Sequence, residues 1–341
     1  MNRINFIIAA RTLAGCAMGL AAFAAAAPAH ASISTVVTMD TSALATALHS
    51  AGLSIDSVII KNGVAGQFGT YTGFSTLPVT IRDGIVLSSG DVANIGPNPA
   101  MSDPNYNPAS PPPEVSSQMV PEPDTGGTAE FDAYGQTSGS IENFNACYDV
   151  ASLEVTFTLE EDSQVQFDFV FASVEFPYWT SSFTDAFLVF LDGTDPINQI
   201  AFDFGGSAVQ VGSSFAGLET TEDVNTAFAN PHGLIHHLTT TTERLDAGEH
   251  VLTFEVGDVN DHVLDSAVFI TGLRTGIGNP GTEPSDDCIA DFDSSGTVNV
   301  PDIFAFLSDW FEQESDSDMD GDGMVAVPDI FAFLSLWFAG C

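Results

Sequence analysis

Between Ser57 and Thr275 the chain advances in short runs rich in Val, Ile, Phe and Thr, separated by Gly, Pro, Asn and Asp. Ser57–Lys61, Ile85–Ser89, Leu153–Leu159, Val165–Phe171, Ala186–Leu191, Ile200–Phe204, His250–Val256 and Ser266–Gly272 have the length and composition of β-strands. "VQFDFVF" (165–171) alternates apolar and polar side chains, as a strand with one face in a core does. One helix is expected near the start, where Thr41 or Ser42 caps "ALATALHSAGL" and Gly52 ends it. No regular strand–helix alternation follows, which argues against a parallel α/β sheet. The pattern predicts a mainly β chain, an antiparallel β-sandwich of jelly-roll or lectin-like kind.

Two stretches interrupt this pattern. Pro97 to Pro123 is rich in Pro, Asn and Ser, and a loop of that length is either functional or mobile. Gly276–Asp287, "GIGNPGTEPSDD", is a Gly/Pro/acid linker. Gly276, Gly278 and Gly281 have dinucleotide-fingerprint spacing, but Pro280 and the lack of a following helix start deny phosphate a helix N-terminus.

Beyond the linker the period changes. Ile303, Phe306, Leu307 and Trp310 form a helical stripe, and Ile330, Phe333, Leu334 and Trp337 form its copy 27 residues later. Pro301 and Pro328 sit at the helix starts, where a missing N–H costs nothing. Phe304 and Phe331 lie off the stripe, as an exposed apolar patch for a partner.

Each stripe follows an acidic loop. Asp291, Asp293, Ser295 and Asp302 occupy positions 1, 3, 5 and 12 of the first loop, with Asp318, Asp320, Asp322 and Asp329 in the second. Gly296 and Gly323 stand at position 6, the sharp turn; Thr297 and Met324 supply a backbone carbonyl at position 7. Asn299 at position 9 can hold a ligating water, whereas Ala326 cannot. This is the calcium-loop spacing of an EF-hand, with hard oxygens on alternate residues, so two calcium ions are expected.

The closing ligand is Asp instead of Glu, and no full helix enters the second loop. In these respects residues 288–341 resemble a type I dockerin, two half-EF-hands in tandem. The resemblance implies attachment to a cohesin through positions 10 and 11, here Val300-Pro301 and Val327-Pro328. A polar pair is usual there, so the expected partner is a cohesin-like or other surface protein. Cys288 and Cys341 bracket the module and are expected to pair in an oxidising compartment, leaving Cys147 free.

Charge and the N-terminus narrow the setting. Arg3 and Arg11 flank the start, Thr12 to Pro28 is small and apolar, and Ala29-His30-Ala31 fits a cleavage site, so residues 1–31 read as a secretory signal. Leu13-Ala14-Gly15-Cys16 spells a lipoprotein site, but the apolar stretch follows Cys16 instead of preceding it. Cleavage removes two Arg and no acid, moving the net charge from −40 to −42. Such a surface repels nucleic acid and anionic lipid and attracts cations. The 27 Phe and 44% hydrophobic content supply a core and argue against disorder. No later segment is long and apolar enough to span a membrane.

"GIVLSSGDVANIGPN" (84–98), "FVFASVEFPYWTSSFTDAFLVFLDG" (169–193) and "HVLDSAVFI" (262–270) resemble the bacterial choice-of-anchor L domain over about Thr35 to Thr275. The resemblance implies a secreted or surface protein and carries no activity. The division expected is therefore signal 1–31, β-sandwich 32–275, linker 276–287 and calcium module 288–341. Within the sandwich, Glu175, Asp185, Asp258, Asp261 and Asp265 lie near predicted strand ends and either share a further calcium or are solvated loop acids. Tyr178 and Trp179 either stack on a carbohydrate or pack. His232, His236 and His237 suit a transition metal only if their segment is helical. Neither H-E-x-x-H nor G-x-S-x-G occurs, so no catalytic residue is assigned. The expected function is non-catalytic: a secreted or cell-surface adhesion or display domain attached through the tail. Its rival is a polysaccharide-binding or polysaccharide-degrading protein carrying a dockerin.

Overall fold

The computed structural model describes residues 33–275, apart from 74, 77–78, 97–104, 108, 112, 138–143, 181–183, 204–205, 213–225, 229–231 and 236. In the tail it describes 292, 300–312, 317, 319 and 325–339. Residues 1–31 of the expected signal segment, Cys288, Cys341, His236 and every expected calcium ligand except Asp302 and Asp329 lie outside the described residues.

Chain order runs β1 (Ser34–Val37), α1 (Thr41–Ala47), β2 (Ser54–Asn62), β3 (Phe68–Thr72), the small β4 (Ser75–Thr76) and β5 (Val79–Thr80), and β6 (Gly84–Ser88). Next come α2 (Ala129–Thr137), β7 (Cys147–Leu159), β8 (Val165–Ser173), β9 (Ala186–Leu191), β10 (Val209–Gln210), β11 (Gly233–Leu234) and β12 (Leu238–Thr241). β13 (Gly248–Val259) and β14 (Ser266–Thr275) complete the β region; α3 (Val300–Glu312) and α4 (Val327–Ala339) form the tail. One sheet has the order β1-β3-β6-β14-β8-β11, with β12 also on β8; the other has the order β10-β9-β13-β7-β2. All of these ladders are antiparallel, and the sheets curl toward a half-barrel. The mainly β, antiparallel, sandwich-like expectation holds for this region.

The core between the sheets is built on Phe. Phe167 and Phe169 on β8 face Phe187 on β9 and Phe254 on β13, with ring centroids 4.9 Å apart for Phe169–Phe187 and 5.1 Å for Phe167–Phe254. Burying each such ring stabilises the fold by about 1.5–3 kcal/mol. The outer faces are covered as well. Val86, Val170, Ala172 and Phe269 pack beneath Ile33, Val115 and Phe228, while Leu188 and Phe190 pack beneath Phe131 of α2. "VQFDFVF" is therefore not half-solvated: Gln166 is buried, and Asp168 is held by Arg274 at 2.6 and 3.1 Å and by the Thr239 hydroxyl at 2.6 Å.

Some local expectations need correction. Asp40 caps α1, accepting from the Ser42 and Ala43 N–H groups at 3.0 and 3.3 Å, because its short carboxylate reaches the orphan donors from just outside the helix. The helix ends at Leu48, before a left-handed His49 (φ 49°), so Gly52 belongs to a later turn. Ile200–Phe204 is no strand. Among its described residues only Phe202 makes a β-bridge, since Asp203 closes a tight turn with Gly206 (φ 78°) and Ser207. The later half of the long loop, described from 113 to 123, is anchored: Val115 is buried and accepts from the Asp265 N–H at 3.0 Å.

In the tail, α3 and α4 start at the two copies of Val-Pro-Asp. Phe306 and its equivalent Phe333 stack at 4.2 Å with rings 7° from parallel, and Phe292 sits edge-on to both. The Trp310 indole donates to the Ala326 carbonyl at 2.8 Å. Asp302 and Asp329 are buried in the first turns, where the Asp329 carboxylate accepts from the Ala326 N–H at 2.6 Å. Phe304 and Phe331 are exposed.

Candidate functional site

Four strand ends meet at one end of the β region. β8 ends beside the start of β14, with Ser173 opposite Ser266; β9 starts beside β13, with Ala186 opposite Gly257. Carboxylates follow or precede each end. Glu175 lies just past β8, Asp185 just before β9, Asp258 near the end of β13 and Asp265 just before β14. A register shift between Val256 and Asp258 re-aims Asp258, and Gly257 makes room, since a Cβ there would stand 2.6 Å from Val150.

The Ser266 hydroxyl ties one sheet to the other. It lies 2.7 Å from Asp185 Oδ2 and 2.9 Å from the Ser173 hydroxyl, which in turn accepts the Glu175 N–H at 3.1 Å. A hydroxyl has one proton; donating it to Asp185 leaves Ser266 to accept from Ser173. Asp265 and Asp149 are satisfied by the long loop. Asp265 accepts from the Ser117 N–H and hydroxyl, both at 2.7 Å, and Asp149 from the Met119 and Val120 N–H groups at 3.1 and 2.6 Å. Gly90 lets the loop close: a Cβ there would fall 1.9 Å from an Asp265 oxygen.

Glu175 and Asp258 differ from these. Each is 1% exposed, and none of their four carboxylate oxygens makes a hydrogen bond. The Asp185 N–H near Glu175 and the Ser89 hydroxyl near Asp258 exert a small downward pull, short of ordinary hydrogen-bond geometry. Burial pushes both groups far above the usual carboxylate range, with Asp185 raising each further. Burial also pushes Asp185 up to about 8 and Asp265 up to about 7. Asp261, less buried, lies at the rim and is raised as well.

These acids were legible as residues near strand ends, but not as solvated loop acids; the fold takes most of them out of water. No substrate chain can reach groups this buried, which argues against a two-carboxylate glycosidase site. Among the described residues, no three His, Cys, Asp or Glu side chains already form a metal-holding group. His232 and His237 diverge, the first toward Tyr106 and the Phe176 carbonyl, the second toward Asp168 at 3.3 Å, and their segment is extended at β11. Trp179 packs against the outer core, and Tyr178 beside it is exposed. The Cys147 thiol is buried and donates to the Phe131 carbonyl at 3.3 Å; burial raises its pKa and so disfavours the nucleophilic thiolate.

No described helix is long and apolar enough to cross a membrane. The sequence profile of the choice-of-anchor L domain matches residues 33–273. No curated protein and no solved structure matches the chain.

Proposed function

The chain belongs to the choice-of-anchor L domain family, which suggests a cell-surface or secreted protein; from that premise we propose that its β region is a non-catalytic adhesion or display domain, attached to a partner by a calcium-folded, dockerin-like tail. The repeat symmetry of the tail carries the reading. Equivalent Phe306 and Phe333 stack on each other, and equivalent Asp302 and Asp329 are buried at the helix starts, where position-12 ligands belong. Asp291, Asp293, Ser295, Thr297 and Asn299 would complete the first calcium shell with Asp302. Asp318, Asp320, Asp322 and Met324 would complete the second with Asp329. Calcium then offsets carboxylates that the helices take out of water, and two helices of 13 residues each gain the order they lack alone. The exposed Phe304 and Phe331 offer the partner an apolar, duplicated contact.

The test uses the full mature chain. Circular dichroism in EGTA and then in excess calcium should show helical signal gained with the ion. Retention on the surface fraction of the producing cells should be calcium-dependent and lost in Asp291→Ala/Asp318→Ala. Helicity indifferent to calcium, together with retention unaffected by EGTA, would sink the proposal.

A further inference from the structure

The acids between the sheets raise a problem that the tail does not solve. Taking an ionised carboxylate out of water costs several kcal/mol unless it is paired. Asp149 and Asp265 have donors from the long loop, and Asp185 has Ser266 and the Val259 N–H at 3.3 Å. Glu175 and Asp258 have none, and each faces Asp185. Among the described residues no Lys or Arg acts on them: Lys61 pairs with Glu154 at 3.0 Å, and Arg274 pairs with Asp168. His262 lies 4.0 Å from Glu122 and lowers the pKa of Asp261 and Asp149, but is not among the groups acting on Glu175 or Asp258. Protonation lets Asp258 share a proton with the Asp185 carboxylate, but it leaves both Glu175 oxygens without a partner.

We propose that Glu175, Asp185 and Asp258 form a divalent-cation site, suited to calcium, between the two sheets at this end of the β region. The donors are hard carboxylate oxygens, and the Cys147 thiol, the one thiol among the described residues, is engaged by a carbonyl, so the chemistry favours calcium or magnesium over zinc or copper. Calcium fits better of the two, because it accepts six to eight oxygens in flexible geometry. The three carboxylates do not make a closed cage by themselves. Binding draws Glu175 and Asp258 toward Asp185, with hydroxyl, carbonyl and water oxygens completing the shell, and Ser89 and Ser266 are the hydroxyls at hand. Glu175 and Ser266 come from one sheet, Asp185 and Asp258 from the other, so the ion clamps the sheets together. This site is independent of the tail.

The experiment counts calcium ions per full mature chain by flow dialysis at neutral pH, in three forms. Glu175→Gln/Asp258→Asn should lose one equivalent relative to the parent, and Asp291→Ala/Asp318→Ala should retain one. Failure of the tail reading appears differently, as a parent that binds a single equivalent unaffected by the tail substitutions. If the double amide form does not fold, the tail variant decides alone: calcium must raise the unfolding temperature of its β region. The proposal is overturned if the double amide form binds as many ions as the parent, or if the tail variant binds none and its unfolding ignores calcium.

Discussion

Asp168 and Asp258 are both carboxylates drawn into the same β region, the first mostly and the second fully out of water, and they stand in opposite circumstances. Asp168, on β8, accepts from Thr239 and meets His237 and Arg274; against a burial that alone would raise it, His237 and Arg274 hold its pKa down to about 2. Asp258, on β13, meets Asp185, Asp265 and Asp149, and is driven the other way. Burial has no fixed sign of consequence: the partners the fold supplies decide whether a buried acid is an anchor or a demand for a cation. Asp168 is complete within this chain, and Asp258 is not.

The largest test of that contrast is Arg274→Ala. It leaves a part-buried Asp168 without its main counter-charge and without two charge-assisted hydrogen bonds, and should cost about 3 kcal/mol. Asp258→Asn in EDTA should cost much less, since burial already favours the uncharged form of this group. Urea unfolding of both variants checks this, and equal losses would erase the distinction.

Glu255 sharpens the comparison through pH. It lies on β13 beneath α2, one oxygen accepting from Thr128 at 3.1 Å and the other unpartnered, and burial pushes its pKa up to about 7 from an ordinary 4.5. Between those values the folded chain keeps a proton that the unfolded chain has released. Stability from this group is therefore full below pH 4.5 and is lost as pH rises through 7, by about 3 kcal/mol. Glu255→Gln should flatten that decline, leaving stability near pH 5 unchanged and raising it at pH 8. An unaltered pH profile would show that Glu255 is ionised at no cost.

The smallest effect separates the two tail loops. The second carries Asp322 where the first has the neutral Ser295, while the first has Asn299 where the second has Ala326. One extra carboxylate near the ion is worth about 1 kcal/mol even in a watery dielectric, more than a water-mediated contact adds. Calorimetry of Asp291→Ala, which keeps the second loop, should thus show tighter residual tail binding than Asp318→Ala. The reverse order would mean that loop geometry outweighs charge.

Legibility followed the range over which a pattern acts. Long strands such as β7, β8, β13 and β14 could be read from composition, because β-branched and aromatic side chains suit a pleated, buried surface. The short β1, β3, β10, β11 and β12 were missed; five residues or fewer carry no period of their own and are strands only because β3, β6, β8 or β9 offers an edge. Ile200–Phe204 failed in the other direction, strand-like in composition but diverted by the turn at Asp203–Gly206. The long loop looked free because nothing local holds Ser117 or Met119; their acceptors, Asp265 and Asp149, lie 148 and 30 residues away.

The sequence by itself determined a mainly β chain, its family, an acidic composition and a doubled tail, in which the residues proposed as ligands of each loop lie within 12 positions of one another. A repeat of that span acts through a single loop and helix, so spacing alone shows it. The tertiary structure alone decided that Glu175, Asp185, Asp258 and Asp265, spread over some 90 residues, converge between two sheets. It also decided that only some of them find donors. Antiparallel pairing brings the end of β8 to the start of β14 and the start of β9 to the end of β13. Whether an acid there meets a serine, an amide or another acid depends on register, which shifts by a residue at the bulge before Asp258 and which no local pattern encodes.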